Sequence, residues 1–293
     1  MSLTWNYPVT RRDESIVEEL HGIKVADPYR WLENPDSEET KAFVDTQNAL
    51  TNKHLESYPY REKFRETLTK IYDYEKYGCP FKHGNHYYYF YNTGLQPQNV
   101  LYQLKNSLDS PPEEFFNANG TASLNTYSFS KYGKYFAYGI SKSGSDWVTI
   151  YVRTTENDEQ NKLPLGDVVE WVKFSSIEWT HDEAGFFYNR YPEPEKSDDK
   201  GTETDTNLNA MLYYHKLGTS QSDDILIYKD PSNPEYMFES SISTDGRYVI
   251  LKIAKDCAPV NKLWIFDLKK TNHQIIENCD FLKIVDNFDA EFD

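Results

Sequence analysis

The sequence predicts a mainly β fold: a partial β-propeller over residues 73–293 that follows an N-terminal helical arm over residues 1–72. Three observations predict it. The chain of 293 residues is 16% aromatic and contains 24 tyrosines, and large aromatic side chains favour strands. A unit of about 50 residues recurs after residue 72, which is typical of propeller blades. The first 72 residues instead repeat their apolar positions at helical intervals.

The repeat becomes visible when four glycines are aligned as turn residues, 49, 52 and 61 residues apart: Gly84, Gly133, Gly185 and Gly246. Each precedes an aromatic or β-branched strand, and a further strand follows in each unit. A weaker fourth strand closes several units, as in DILIYK and HQIIEN. Four strands in about 50 residues match one blade, so residues 73–293 hold about four blades. The final segment FLKIVDNFDAEFD is predicted to supply the first strand of a fifth.

The helical arm contains two predicted helices. Asp36 is the candidate N-cap of the first, with Glu39 three residues later as in a capping box. Its partly apolar stripe comprises Phe43, Val44, Gln47, Leu50 and His54. The second begins near Pro59, and its apolar face comprises Phe64, Leu68, Ile71 and Tyr72. Two helices cannot enclose a core, so these faces require a partner.

The composition limits the partners and the compartment. A net charge of −16 repels phosphate backbones, so no nucleic-acid partner is expected. The acidic surface is interpreted as that of a cytoplasmic protein; the alternative is a field that attracts cationic peptides, with Asp146 contributing unless it caps the turn in GSDW. The cysteines, Cys79, Cys257 and Cys279, are few and odd in number, which fits a reducing compartment. No apolar segment is long enough to span a membrane, so no membrane partner is expected.

No catalytic serine is predicted within the chain. The stretch Gly139-Ile140-Ser141-Lys142-Ser143 lacks the second glycine of a nucleophile elbow, and its context is strand, loop and strand. The histidines have no metal-ligand spacing, so most are expected in turns or at the surface, and no metal or cofactor is predicted. The acidic pairs Asp198-Asp199 and Asp223-Asp224 are interpreted as solvated loop charges.

Several long strings resemble the prolyl oligopeptidase family of serine peptidases, in the same order: HGIKVADPYRWLENPDSEETKAFVDTQN, FAYGISKSGSDWVTI, FSSIEWTHDEAGFFYNRYP, GTETDTNLN and PVNKLWIFDL. The resemblance implies a seven-bladed propeller on an α/β-hydrolase domain, to which the helical arm contributes. It also implies cleavage of short peptides after proline by a Ser, Asp and His triad in a C-terminal segment. That segment is absent from this chain, so no catalytic residue is assigned and the chain alone is predicted to be inactive.

The resemblance also implies substrate contacts. Phe174, Met237 and Cys257 match residues that help to line the S3 subsite over the active site, although ordinary blade packing is the alternative for each. The charged insert Tyr191–Ala210 matches a loop that gates access to the cleft. The expected partners are short proline-containing peptides and the C-terminal hydrolase segment. The alternative function is that of a non-catalytic propeller fragment that binds peptides or a protein.

Overall fold

A computed structural model describes residues 6–118, 120–142, 144–158, 163–193, 207–255 and 257–292. The chain divides into two compact units, Met1–Tyr74 and Glu75–Asp293. The assignment of residues 1–72 to a hydrolase domain stays a prediction. None of the helices in these described ranges combines the length and the apolar character that crossing a bilayer requires.

The first unit contains a β-hairpin and two helices. Strand β1 (Val17–Leu20) pairs antiparallel with β2 (Ile23–Ala26), and a 3-10 helix follows at Arg30–Glu33. Helix α1 spans Glu38–Glu56 and helix α2 spans Arg61–Tyr72. The prediction of two successive helices in this part of the chain is therefore confirmed.

The N-terminus of α1 differs by one residue from its prediction. Ser37, and not Asp36, is the N-cap: its hydroxyl accepts a hydrogen bond from the Thr40 N–H at 3.1 Å. The Glu39 carboxylate instead binds the guanidinium of Arg11, with 2.5 Å between Oε1 and Nε. A capping box needs that glutamate to reach back to the N-cap, so the ion pair replaces the second half of the motif.

The second unit consists of four successive antiparallel sheets of four or five strands, and the second and third are joined into one eight-stranded sheet by the pairing of Val172 with Arg190. The first contains β3 (Lys76–Tyr77), β4 (Phe81–His83), β5 (His86–Asn92), β6 (Val100–Lys105) and β7 (Pro112–Phe116). The second contains β8 (Ala122–Phe129), β9 (Tyr135–Lys142), β10 (Val148–Thr154) and β11 (Val168–Val172). The third contains β12 (Glu178–Trp179), β13 (Gly185–Arg190), β14 (Met211–Lys216) and β15 (Ile225–Lys229). The fourth contains β16 (Tyr236–Ile242), β17 (Tyr248–Lys255), β18 (Asn261–Asp267) and β19 (Leu282–Val285).

These sheets pack face to face, because each apolar core draws its side chains from two successive sheets. The core between the first and second sheets includes Tyr88, Leu101, Phe129 and Phe136. The core between the second and third includes Val148, Ile150, Trp179 and Phe186. The core between the third and fourth includes Phe187, Leu212, Phe238 and Leu251. The second and third sheets contribute to a core on each face, as propeller blades do, whereas the first sheet contributes to one core and its aromatic strand β5 is mostly half-buried.

The turns that join the first two strands of successive blades stack on one another. Gly84 and Gly133 form two of these turns, with φ of 56° and 75°. A Cβ atom on Gly133 would lie 2.5 Å from the Gly84 backbone nitrogen, so the two turns touch through their backbones. Gly246, with φ of 74°, occupies the same corner of the fourth blade, and a Cβ there would lie 2.4 Å from Nδ1 of His181. The predicted equivalence is confirmed for these three glycines.

The fourth aligned glycine is not a turn residue, so that part of the prediction is wrong. Glu183 takes the corner of the third blade with φ of 56°, and its N–H donates to the Thr180 carbonyl. Its carboxylate accepts a hydrogen bond from the Tyr132 N–H at 2.8 Å in the preceding blade. This bond stabilises a backbone conformation that a glutamate otherwise disfavours.

Gly185 instead begins β13 and lies two residues after that corner. A Cβ atom at this position would lie 2.1 Å from the His215 carbonyl oxygen on the neighbouring strand β14. A glycine is required here by the close approach of two strands and not by turn geometry.

The prediction for the end of the chain is also wrong in its detail. Leu282–Val285 pairs with β18 and closes the fourth blade, so it is not the first strand of a fifth. The segment HQIIEN, predicted as that closing strand, contains no strand and is irregular after the 3-10 helix Leu268–Thr271. Both apolar segments fit a strand by residue type, and their order along the chain does not reveal which of them pairs with β18.

Candidate functional site

The topology places the three predicted contact residues at one face of the propeller. Turns between the first and second strands of each blade lie at the opposite face, because neighbouring strands are antiparallel. Phe174 lies in the connection from β11 to β12, Met237 lies near the start of β16, and Cys257 lies in the loop from β17 to β18. All three positions lie at or near strand ends on the face away from the stacked turns.

A cleft of about 710 Å³ opens at this face, lined by Asn125 and Thr126 of the second blade, by the connection that leads to the third blade, and by the fourth blade. One side is the Phe174 wall, defined as Phe174, Ser175 and Ser176. The other side is the Met237 wall, defined as Met237, Phe238 and Glu239. Further lining residues are Ala254, Ala258, Pro259 and Val260. Half of the lining residues are polar or charged, so the cleft combines apolar surface for a side chain with groups that can hydrogen-bond to a ligand.

Phe174 projects from a strained backbone. Its φ is 47°, in the left-handed region, and its side chain is 56% exposed. Its ring meets the buried Tyr191 ring edge-on, with centroids 6.4 Å apart. Trp171 also has a positive φ of 63°, and its carbonyl accepts a hydrogen bond from the Tyr191 N–H. The strained segment turns the aromatic ring outward, where it is available to a ligand.

The residue before Phe174 anchors this segment. Lys173 is buried, and its Nζ lies 4.1 Å above the centroid of the Trp147 ring. The same ammonium donates a hydrogen bond to Oδ1 of Asn207 at 3.0 Å. A buried ammonium that combines a cation–π contact with a hydrogen bond holds its backbone firmly. The position of Phe174 is thus set by its neighbour.

Met237 and Cys257 differ in their relation to the cleft. Met237 lies in β16 opposite Ala254 of β17, and both side chains contribute to the lining. Cys257 is an exposed free thiol, but it is not among the described residues that line the cleft. Its neighbour Ala258 does line it. The structure therefore brings Phe174 and Met237 together and leaves Cys257 at the margin.

Three charged residues line the cleft, and none of them was identified from the sequence. The described lining includes the exposed carboxylates of Glu239 and Glu291, together with the half-buried ammonium of Lys252. Glu239 lies opposite Lys252 in the register of β16 and β17. Nothing in the local sequence marks these residues, because they are separated along the chain and share one cleft only after β16 and β17 have paired and the segment after β19 has folded beside them.

The serine-rich stretch has a structural role. The Ser141 side chain is buried at the end of β9, and its hydroxyl donates a hydrogen bond to the Ser145 carbonyl. The hydroxyl of Ser145 accepts from the Trp147 N–H at 3.0 Å. Ser145 therefore bonds this turn, and the role of Asp146 stays a prediction. Ser143 lies outside the described residues, as do residues 194–206 of the predicted gating insert.

A buried charged cluster lies between the second and third blades. His215 is fully buried in β14, with Nδ1 2.7 Å from Oδ1 of Asp224 and Nε2 3.1 Å from Oδ1 of Asp167. The Tyr188 hydroxyl donates to the second oxygen of Asp224 at 2.6 Å. The prediction that the pair Asp223-Asp224 is solvated is wrong for Asp224, whose side chain has no exposed surface. His215 likewise departs from the expected surface location of the histidines.

The cluster holds the imidazole in its charged form. Burial alone would lower the pKa of His215, but its hydrogen bonds to Asp167 and Asp224 outweigh burial and raise that pKa to about 9. Burial would raise the pKa of Asp167, and its bonds to His215 and to the Gly218 N–H lower it. Asp167 precedes the last strand of the second blade and His215 belongs to the third, so the cluster ties two blades together.

Comparisons with known proteins agree with this architecture. The sequence profile described as "Prolyl oligopeptidase, N-terminal beta-propeller domain" matches residues 8–293. Prolyl oligopeptidase A from Amanita bisporigera is 42% identical over 315 residues, which cover 98% of this chain and 41% of that protein. Prolyl endopeptidase from Dictyostelium discoideum is 34% identical over 339 residues, which cover 98% of this chain and 44% of that protein.

Solved structures give the same result. A mutant of prolyl oligopeptidase B from Galerina marginata, bound to a 25mer macrocyclization substrate, superposes with a TM-score of 0.87 at 34% identity. The superposition covers 98% of this chain and 42% of that protein, so the chain spans less than half the length of these relatives. The profile match and the colinear relatives together show that this chain belongs to the family of prolyl oligopeptidase N-terminal β-propeller domains.

Proposed function

We propose that this chain is the propeller part of a serine endopeptidase that cleaves short peptides after proline. In this proposal, a Ser, Asp and His triad outside the chain performs acyl transfer, and the propeller restricts access and contacts the substrate. The observation that carries the proposal is the cleft that both Phe174 and Met237 line, in a chain of this family. The chain by itself is then inactive.

The chemistry of the cleft supports a peptide side chain as its occupant. An aromatic ring and a thioether provide an adaptable apolar surface, and the thioether accommodates side chains of different shape. We propose that the third residue before the cleaved bond lies between the Phe174 wall and the Met237 wall. Cys257, at the margin of the cleft, contacts the same substrate region, and a bulky thiol reagent on it obstructs binding.

The same proposal places the protein in the cytoplasm, without a nucleic-acid or membrane partner. The free thiols of Cys79, Cys257 and Cys279 support a reducing compartment. The net charge of −16 disfavours contact with nucleic acid. Its partners are then short proline-containing peptides and the hydrolase segment that completes the enzyme.

The test compares the natural protein with the 293-residue chain. Intact-mass measurement and labelling with a fluorophosphonate identify whether a reactive serine accompanies this chain in one polypeptide. We expect a mass about twice that of the chain, labelling of a serine outside it, and turnover of a succinyl-Gly-Pro-coumarin reporter. The recombinant chain alone is expected to give no turnover.

The second candidate function is a non-catalytic propeller that binds peptides or a protein partner. It is favoured by the absence of a G-x-S-x-G motif within these 293 residues. A natural protein of about 34 kDa that binds proline-containing peptides without cleaving them would establish it in place of the endopeptidase.

A further inference from the structure

A single buried residue lies behind the cleft and connects both of its walls, one through its backbone and the other through its side chain. Asn189 belongs to β13 and is only 3% exposed. Its backbone N–H donates a hydrogen bond to Oγ of Ser175 at 2.7 Å, on the Phe174 wall. Its side-chain Nδ2 donates to the carbonyl of Phe238, on the Met237 wall. The first bond joins the third blade to the connection that precedes it, and the second crosses to the fourth blade.

The bond across the blades has a specific structural basis. β16 is an edge strand of its sheet, so alternate carbonyls of this strand point away from β17. The Phe238 carbonyl needs a donor, which fixes the orientation of the Asn189 amide because only its nitrogen can donate. An asparagine at this position therefore holds the Met237 wall at a defined distance from β13.

The oxygen of the same amide indicates that Asn189 does more than fill space between the blades. Oδ1 of Asn189 is buried and has no hydrogen-bond partner among the described residues. A buried polar atom without a partner is costly, and such atoms are rare in folded proteins. The side chain retains the polar group in a site where an apolar side chain of equal size would avoid that cost.

We propose that Asn189 is a positioning residue of the cleft. It sets the separation of the Phe174 wall from the Met237 wall and thereby the size of the peptide side chain that the cleft accepts. Its consequence for cleavage rests on the proposed endopeptidase function, whereas the separation of the walls does not. Asn189 does not line the cleft, so it acts on the substrate only through the two walls.

The chain offers a closely matched control in Gln103. This amide is fully buried in β6, and its Nε2 donates to the Thr155 carbonyl of the next blade at 2.8 Å. Its Oε1 is also buried without a partner among the described residues. Asn189→Leu and Gln103→Met each remove one amide bond between blades at nearly constant volume, and Gln103→Met also removes the bond from Nε2 to the Tyr88 hydroxyl at 2.9 Å. Only Asn189 adjoins the cleft.

The experiment uses the natural full-length protein and two measurements. For the first, the native cysteines are replaced by serine, and nitroxides are attached at Ser176→Cys and Glu239→Cys on the two walls. Dipolar broadening then reports the separation of the walls without any need for activity. For the second, kcat/KM is compared between reporters with phenylalanine or glycine as the third residue before the cleaved bond, in the protein with its native cysteines.

We expect Asn189→Leu to increase or broaden the separation of the labels. We also expect it to reduce the preference for phenylalanine over glycine by about fivefold through KM, the effect of about one hydrogen bond. Gln103→Met removes two hydrogen bonds, so it should lower the unfolding temperature at least as much as Asn189→Leu does, and it should change neither measurement. If Asn189→Leu does not fold, Asn189→Ala removes the same bond with less risk of a steric clash.

Two results overturn the inference: an unchanged label separation in the Asn189 variant, or equal changes in the Gln103 variant. The second result would assign both amides a purely structural role. Absence of turnover by the wild-type protein would contradict the proposed endopeptidase function. The label separation would still show whether Asn189 positions the walls.

Discussion

The buried His215 cluster predicts that stability falls at alkaline pH. The pKa of His215 is raised from 6.5 to about 9 in the folded state, while the unfolded chain keeps the ordinary value. Stabilisation from a raised histidine pKa is complete below pH 6.5 and is lost as the pH rises through about 9. A shift of this size corresponds to roughly 3 kcal/mol of the free energy of unfolding.

The perturbation is His215→Gln, which has no charge to lose over this pH range. The wild-type protein and the variant are compared in their free energies of unfolding between pH 6 and pH 10. We expect the difference to decline by roughly 3 kcal/mol across that range, or roughly 6–12 °C in the unfolding midpoint for a unit of this size. Other groups titrate in both proteins, so the difference isolates His215.

Hydrogen–deuterium exchange at the imidazole C2 position measures the pKa of His215 directly by mass spectrometry. His83 provides the control: burial lowers its pKa, and its ring stacks on Phe129 at 4.4 Å. A His83→Gln difference should therefore be flat above pH 7.5. The reasoning is refuted if His215 exchanges with an ordinary pKa, or if the His215→Gln difference does not change with pH.

Three further predictions concern the blade corners and the cleft. Gly133→Ala should lower the free energy of unfolding by roughly 2–4 kcal/mol, because it adds a clash to an unfavourable φ. The control Gly218→Ala, in open space at φ 79°, should lower it by only about 1 kcal/mol. Equal unfolding midpoints for the two variants would contradict the stacked turns. Glu183→Gly relieves a positive φ but removes the hydrogen bonds to the preceding turn, so we expect chemical unfolding to show a free energy of unfolding lower by about 1–2 kcal/mol. A higher free energy of unfolding would show that these bonds contribute little. Phe174→Ala should raise KM about tenfold for a reporter with phenylalanine as the third residue before the cleaved bond, and it should leave kcat unchanged. The control Leu95→Ala, at an exposed position in the first blade, should change neither constant. A loss confined to kcat would argue against a binding role for Phe174.

Local pattern was sufficient for much of the fold. The blade repeat and both helices follow from residue type and spacing, because each strand and turn is specified within a few residues. Errors arose where two local solutions look alike. Gly185 resembles a turn glycine but is required by the approach of β14, and HQIIEN resembles a strand although Leu282–Val285 occupies that place.

Less of the candidate site than of the fold could be predicted from the sequence. Phe174 and Met237 came from matched strings, and the structure places both on one cleft, whereas their function as substrate contacts stays a proposal. The backbone strain at Phe174 and the anchoring of Lys173 have no signal in the sequence. Both depend on a buried contact with a residue that is distant along the chain.

The amino-acid sequence by itself determined that this protein repeats a four-stranded aromatic unit, because strand and turn preferences act over short distances. Only the tertiary structure decided which groups meet between the blades. His215 meets Asp167 from 48 residues away, and Asn189 meets Phe238 from 49 residues away. Each separation along the chain is close to the number of residues in one blade, so these contacts exist only when whole blades pack. No local pattern encodes the partner.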